Sequence, residues 1–356
     1  MTQDTKQTLF KPGDGGVFGF RIPTIITLIS GRVLVFCEAR RDSLSDSGRI
    51  DIVMRSGDGL DFEPFRTVVS GDGNTVGNPC PVQDPATGRL FLMYNANDAD
   101  KPEPMILQGK GPRTVHVIYS DDEGKTWSSP RDITSDVKLP AWTWYAIGPC
   151  HGVSLPDGRL MFGCNHAVFD KKTGQSGAYM SHIVYSEDHG ENWRLGPIMG
   201  ECTNECSLSV FEDNSVLINM RWIPYGKDAE HPHCRAQAWS NDGGHSFTET
   251  ELQCDLTDPC CQGSLLTVNT TRGEDVLLSN ANARKRENLA VQRSSDRGRT
   301  WHIERIIEPG CAAYSDMAQL RDGRIALVCE AGVNSPYERI DLRVFPLLQD
   351  IERGRN

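Results

Sequence analysis

Ser120-Asp-Asp122-Glu-Gly124-Lys-Thr126-Trp127 returns three times further along the chain. The later copies are Ser186-Glu-Asp188-His-Gly190-Glu-Asn192-Trp193, Ser240-Asn-Asp242-Gly-Gly244-His-Ser246-Phe247 and Ser294-Ser-Asp296-Arg-Gly298-Arg-Thr300-Trp301. A degenerate version, Ser56-Gly-Asp58-Gly-Leu-Asp-Phe62, precedes them all. Five repeated aspartates could suggest a catalytic or metal set. The spacing instead predicts a turn, in which Asp accepts backbone N–H bonds, Gly supplies positive φ and the terminal aromatic packs inward.

A second signal runs in phase with the first. Gly or Asn precedes an apolar run six times, at Gly31, Gly88, Gly158, Asn214, Gly273 and Gly323. The runs that follow, such as Arg32-Val-Leu-Val-Phe-Cys37 and Arg324-Ile-Ala-Leu-Val-Cys329, are short, apolar and β-branched, with turn signals at both ends. They read as strands. A fixed internal period of this length means repeated supersecondary units, and radial repetition of small sheets disposes of unpaired edges. The expectation is an all-β chain forming a six-bladed β-propeller of four-stranded antiparallel blades. It occupies 1–356 as a single domain with no linker or accessory domain. The last blade is one strand short, and the segment around Thr8–Phe10 is the expected donor that latches the ring.

The formal charge of −11 argues against nucleic acid and anionic membranes as partners, since both need a basic face. It leaves room for a small anionic ligand held by a local arginine cluster. No apolar run reaches the ~18–20 residues of a membrane span, so no membrane insertion is expected. The first residues lack a signal-peptide core, which predicts a cytoplasmic protein. The twelve cysteines are scattered, several of them inside strand runs, and are expected to be buried free thiols in a reducing compartment. Cys202-x-x-x-Cys206 and His231-Pro-His233-Cys234 approach zinc spacing without a second half, so neither a metal nor a cofactor is expected.

Strand direction sorts the polar residues onto two faces. First strands start, and second strands end, on the face opposite the aspartate turns. First-strand starts contribute Arg21, Asn78, His151, Glu205, Gln262 and Tyr314 with Asp316. Second-strand ends contribute Glu38, Arg40, Asn95, Asp98, Asn165, His166, Arg221, Arg284, Arg286 and Glu330, and Asp46 lies in the loop after the first such end. Two like charges 4 Å apart cost about 4 kcal/mol at an effective dielectric near 20, so this many arginines need an anion or interleaved carboxylates. The pattern reads as a grip for a carboxylate or phosphate, because the planar guanidinium binds two oxygens at once.

Phe20-Arg21-Ile22-Pro23, Asn78-Pro79-Cys80-Pro81, Thr203-Asn204-Glu205-Cys206, Asn219-Met220-Arg221, Arg286-Glu-Asn-Leu289 and Ala313-Tyr314-Ser315-Asp316 follow one another along the chain, with the four good aspartate turns interleaved. In these residues the chain resembles the exo-α-sialidases, or neuraminidases, of bacterial and animal type, from Phe20 to about Phe345. The resemblance implies hydrolysis of terminal α-linked sialic acids on glycans, with retention and through a tyrosyl-enzyme intermediate. It implies that Arg21, Arg221 and Arg286 bind the substrate carboxylate, Tyr314 is the nucleophile, Glu205 its base and Asp46 the general acid/base. Glu330 would orient Arg21, and Arg40 and Asp98 would contact the sugar's 4-hydroxyl. Transfer instead of hydrolysis, or preference for a deaminated sialic acid, fits the same fold; a non-catalytic glycan-binding propeller ranks last because Tyr314, Glu205 and Asp46 are all present.

The implied chemistry suits these residue types. Most glycosidases use two carboxylates, with tyrosine-nucleophile sialidases among the exceptions. A sialic acid carries its own carboxylate on the anomeric carbon, and a neutral phenol avoids that like charge. With a pKa near 10, the phenol needs a base. Asp42 and Asp51 flank Asp46, whose Ser45-Asp46-Ser47-Gly48 setting matches the family pattern. Arg284 competes with Arg286. His151, His166, Trp142, Trp144 and Tyr145 are either packing residues or parts of the pocket wall.

Overall fold

Each foreseen tight turn joins the first two strands of an antiparallel blade in the computed structural model, which describes residues 4–170, 174–224, 233–270 and 273–347. Blade one is Gly19–Thr27, Val33–Arg40, Ile50–Gly57 and Arg66–Val69; blade two is Thr75–Gln83, Leu90–Asn97, Thr114–Ser120 and Arg131–Asp132. In blade three, Trp142–Ile147 and Val153–Ser154 form a broken first strand beside Leu160–Asp170, followed by Gln175–Ser186 and Arg194–Glu201. Blade four is Thr203–Val210, Val216–Trp222, Arg235–Ser240 and Glu251–Gln253. Blade five is Gly263–Thr270, Gly273–Ala281, Glu287–Ser294 and the first part of the long strand His302–Gln319. The rest of that strand opens blade six, with Ile325–Gly332 and Arg339–Phe345. The fold is a six-bladed β-propeller.

The sixth blade takes its outer strand from the chain's other end, as expected. Thr5–Phe10 pairs antiparallel with Arg339–Phe345, Gln7 opposite Leu342 and Phe10 opposite Ile340. Thr8 Oγ1 donates to Asp341 Oδ1 at 2.7 Å, and Lys6 Nζ lies 3.4 Å from both Glu308 and Asp341. Apolar clusters fill the spaces between blades; Val35 and Cys37 of blade one meet Val328 and Leu342 of blade six across the closure. Among the described residues no helix is long and apolar enough to cross a membrane.

The aspartate turns are scaffold in every copy. In the first, Asp122 Oδ1 accepts from Ser120 Oγ at 2.7 Å and from the Thr126 amide at 2.8 Å, while the Gly124 amide donates to Ser120 Oγ. Hydrogen bonds from the Thr126 hydroxyl and amide push the Asp122 carboxyl down to about 2. Where the second copy carries Asn192 in place of threonine, its Nδ2 donates to Asp188 Oδ2 at 2.7 Å, so the exchange keeps the bond. These turns join third to fourth strands, on the face expected from strand direction.

The expectation of buried free thiols needs two corrections. Cys234 and Cys254 form a disulfide with Cα atoms 4.3 Å apart, bracketing the paired residues Arg235 and Gln253 on the last two strands of blade four. Register across a hairpin brings them together, and spacing alone did not reveal it. The other ten form no disulfide among the described residues, and Cys202, Cys260 and Cys311 among them are half-buried. His231, named above as a possible metal ligand, lies outside the described residues.

Two predictions follow from packing. Phe10 is fully buried in the closing strand, so Phe10→Ala should cost about 3–5 kcal/mol in urea unfolding; a loss below about 1 kcal/mol would mean the ring closes without it. In blade three, His166 Nδ1 lies 3.0 Å from His182 Nδ1, and His166 stacks on Trp142 with ring centroids 3.5 Å apart. Burial pushes His166 down to about 4 and His182 lower than its ordinary 6.5. The unfolded chain takes up these protons as pH falls below 6.5 and the folded chain does not, so stability is complete above that value and lost toward pH 4. Between pH 7.5 and 4.5 the wild type should lose on the order of 1–3 kcal/mol more than a His166→Phe/His182→Leu variant. Equal losses would remove the pair as the cause.

Candidate active site

Where they reach the mouth of the ring, first strands are irregular. Pairing with the second strand slips between Arg21 and Thr24, Gly77 and Cys80, Thr203 and Cys206, and Ala312 and Ser315. A bulge bends its strand and re-aims the neighbouring side chains. Arg21, Asn78, Glu205 and Tyr314 sit at these slips, and all four line one cavity of about 270 Å³. Ile22 has φ +57°, an outlier for a β-branched residue, and its amide donates to Glu330 Oε1 at 3.0 Å.

Cations and anions alternate around this cavity. Glu330, fully buried behind Arg21, accepts from Arg21 Nε at 2.9 Å and Nη2 at 3.2 Å, a forked pair. Arg221 Nη1 donates to Glu205 Oε2 at 2.8 Å and lies 3.4 Å from the Tyr314 hydroxyl. The Tyr314 hydroxyl in turn donates to Glu205 Oε1. The guanidinium carbons of Arg21 and Arg286 stand 5.2 and 5.4 Å from the Tyr314 ring centroid. Burial first, and the Glu205 charge second, push the Tyr314 phenol well above its ordinary range, so it stands neutral.

Asp46 approaches from the loop of blade one, its Oδ1 2.7 Å from Arg40 Nη2 and 3.4 Å from Arg21 Nη1. Its side chain is 71% exposed, the most open of the set. Desolvation at the cavity raises its carboxyl, but the charges of Arg40 and Arg21 and the Arg40 hydrogen bond outweigh this and hold it below its usual value. Arg40 is itself anchored on Glu38 Oε2 at 2.7 and 3.0 Å. Glu38 Oε1 accepts the Asn78 amide at 3.0 Å, close over Gly77, where a Cβ would collide with it.

Not every expected residue joins this set. Asp98 is exposed and outside the lining, because the second strand ends at Asn97 and turns away. Among the described residues its backbone carbonyl is engaged, accepting from Asn97 Nδ2 at 2.9 Å and the Lys101 amide at 3.1 Å, and its carboxylate is not. Arg284 is exposed while Arg286 lines the cavity. His151 holds Asp316 at 2.8 Å and His166 packs in blade three, so both are packing residues. Of the three aromatics, Trp144 lines the cavity, and Trp142 and Tyr145 are buried beside it.

Arg113, Glu103 and Tyr179 are among the lining residues that went unforeseen. Arg113 donates to the Tyr145 carbonyl at 2.7 Å and to Asn78 Oδ1 at 3.1 Å, its guanidinium carbon 4.4 Å from the Trp144 ring centroid. Glu103, on the short helix Glu103–Leu107, accepts from the Tyr179 hydroxyl, and burial raises its carboxyl. Arg113 and Tyr179 lie where third strands leave the same face, positions that strand direction also assigns to the mouth. A larger groove of about 890 Å³ runs between the outer strands of blades three and four, but among the described residues no arginine or lysine lines it.

A family model described as a BNR repeat-like domain matches residues 33–327. A sialidase of Micromonospora viridifaciens is 28% identical over 95% of this chain and 54% of its own length. One from Bacteroides fragilis is 29% identical over 90% of this chain and 61% of its own. The chain thus spans about half to three-fifths of these curated relatives. Among solved structures, the Hadza microbial sialidase Hz136 is similar with a TM-score of 0.84 and 26% identity, covering 97% of this chain and 69% of that one.

Proposed function

We infer the activity from one premise, that this chain belongs to the BNR repeat-like sialidases: it is a retaining exo-α-sialidase releasing terminal α-linked sialic acids from glycoconjugates. The observation that carries the reading is the Tyr314 hydroxyl donating to Glu205 inside a ring of three arginines.

In the first displacement the Tyr314 oxygen bonds to the anomeric carbon while Glu205 takes the phenol proton. The glycosidic bond breaks, and Asp46 gives its proton to the leaving oxygen. In the second, a water oxygen attacks the same carbon and Asp46 takes back a proton. The bond to Tyr314 breaks, and the phenolate recovers its proton from Glu205. Arg21, Arg221 and Arg286 hold the substrate carboxylate throughout, while positive charge grows on the ring. Two displacements return the α-anomer.

Tyr314→Phe should lower kcat/KM on a chromogenic sialoside by at least about a hundredfold; near wild-type turnover would exclude the nucleophile. Proton NMR should detect the α-anomer first, and β first would exclude retention. The pH profile carries a further test. Asp46 must be protonated for the first displacement, yet the free site holds its pKa low. A bound carboxylate offsets the Arg21 charge and raises that pKa. The alkaline limb of kcat should therefore lie at higher pH than that of kcat/KM, and coincident limbs would contradict this role.

A further inference from the structure

Each arginine of the trio has a different holder. Arg21 is forked on Glu330 and Arg221 is paired with Glu205, so both share their charge with a carboxylate. Arg286 forms no ion pair among the described residues. Its Nη1 donates instead to the hydroxyl of Tyr337 at 2.7 Å. The same tyrosine lays its ring against Arg21, whose guanidinium carbon is 4.2 Å from the ring centroid. Tyr337 does not line the cavity; it touches two of the three arginines from behind.

The segment that presents Tyr337 is built for fixed placement. Glu338 accepts from the amides of Val333, Asn334 and Ser335 at 2.8, 2.9 and 3.1 Å, and the Tyr337 amide donates to Ser335 Oγ at 3.3 Å. At Gly332, where the strand enters this turn, a Cβ would collide with the Ser335 carbonyl. The turn thus spans a short distance with its amides satisfied, and a tyrosine on it is held on both its backbone and its hydroxyl.

We propose that Tyr337 is a positioning residue that orients Arg286 toward a substrate carboxylate without neutralising it. A carboxylate there would fix the guanidinium equally well but compete with the ligand for its charge. A phenol fixes direction and leaves the charge to the ligand. The proposal rests on the sialidase reading for the identity of that ligand, and on the geometry alone for the coupling of the two side chains.

The closing experiment separates the two. With a chromogenic sialoside, Tyr337→Phe should raise KM about tenfold, as for loss of one hydrogen bond to a charged group, with kcat within about twofold. The ring remains over Arg21, so thermal stability should stay near wild type. In an Arg286→Ala background the same exchange should have no further effect on kcat/KM, which a merely structural role would not predict. An unchanged KM, or an equal loss in both backgrounds, overturns the proposal. Side-chain NMR of arginine Nε–H groups without ligand gives a second arm. Arg286 should lose its restricted signal in Tyr337→Phe while Arg221 keeps its own; an unaltered Arg286 overturns the proposal even if the wild type proves inert toward sialosides, a result that would count against the sialidase reading alone.

Discussion

At the centre of the ring lies Asp316, a carboxylate with no solvent exposure. Its Oδ2 accepts from Thr24 Oγ1 at 2.7 Å and from the amides of Ile25 at 3.0 Å and His151 at 3.1 Å. Its Oδ1 takes the His151 ring at 2.8 Å and Ser264 Oγ at 2.5 Å. These donors come from blades one, three and five, and the carboxylate from blade six. Burial alone would raise its pKa, but His151 and these donors hold it low. A buried charge is tolerable only when its lone pairs are satisfied, and removing one partner of such a pair costs about 3–5 kcal/mol. Asp316 therefore fixes the spacing of four blades at once. Tyr314 is two residues away on the same strand, so its phenol takes its position from this hub.

The cavity above the hub obeys a related rule. Arginines gathered without compensation would repel, so the ring is built as a lattice of opposite charges with Glu330, Glu205, Asp46 and Glu38 between them. The lattice is also a hierarchy of exposure. Glu330 and Arg40 are sealed and act as fixed posts, whereas Asp46 is mostly open to solvent. On the proposed reading, Glu330 fixes Arg21 where a substrate carboxylate would sit. The open aspartate is the member free to change partners and protonation as a ligand arrives.

Much of this was legible because the propeller writes its fold in short-range signals. A turn glycine, a β-branched run and an aspartate hairpin are each set by local sterics, and their phase assigns faces before any contact is known. Arg21, Glu205 and Tyr314 fall where strand direction places them. Arg113 and Tyr179 obey the same geometry at third-strand starts, a position outside the first-strand starts and second-strand ends that the sequence expectation covers. Asp98 failed for a different reason: it lies one residue beyond the strand end at Asn97, and that step into a turn changes where a side chain points. The Cys234–Cys254 bridge and the Tyr337–Arg286 contact depend on register and loop shape, which no local signal encodes.

The burial of Tyr314 has a consequence for the proposed chemistry. A phenol pushed well above its ordinary pKa stays protonated in the resting site. With Tyr314 as the proposed nucleophile, proton transfer to Glu205 would accompany bond formation to carbon, when the oxygen's electrons go to the sugar and not to a free phenolate. Arg221, which touches both Glu205 and the phenol oxygen, is placed to stabilise the charge that passes between them. On the proposed reading the burial of Tyr314 is thus no obstacle. It suppresses an idle phenolate that would pair with the arginines and occupy the place of the substrate carboxylate, and it leaves the nucleophile to be made only when an electrophilic carbon is present.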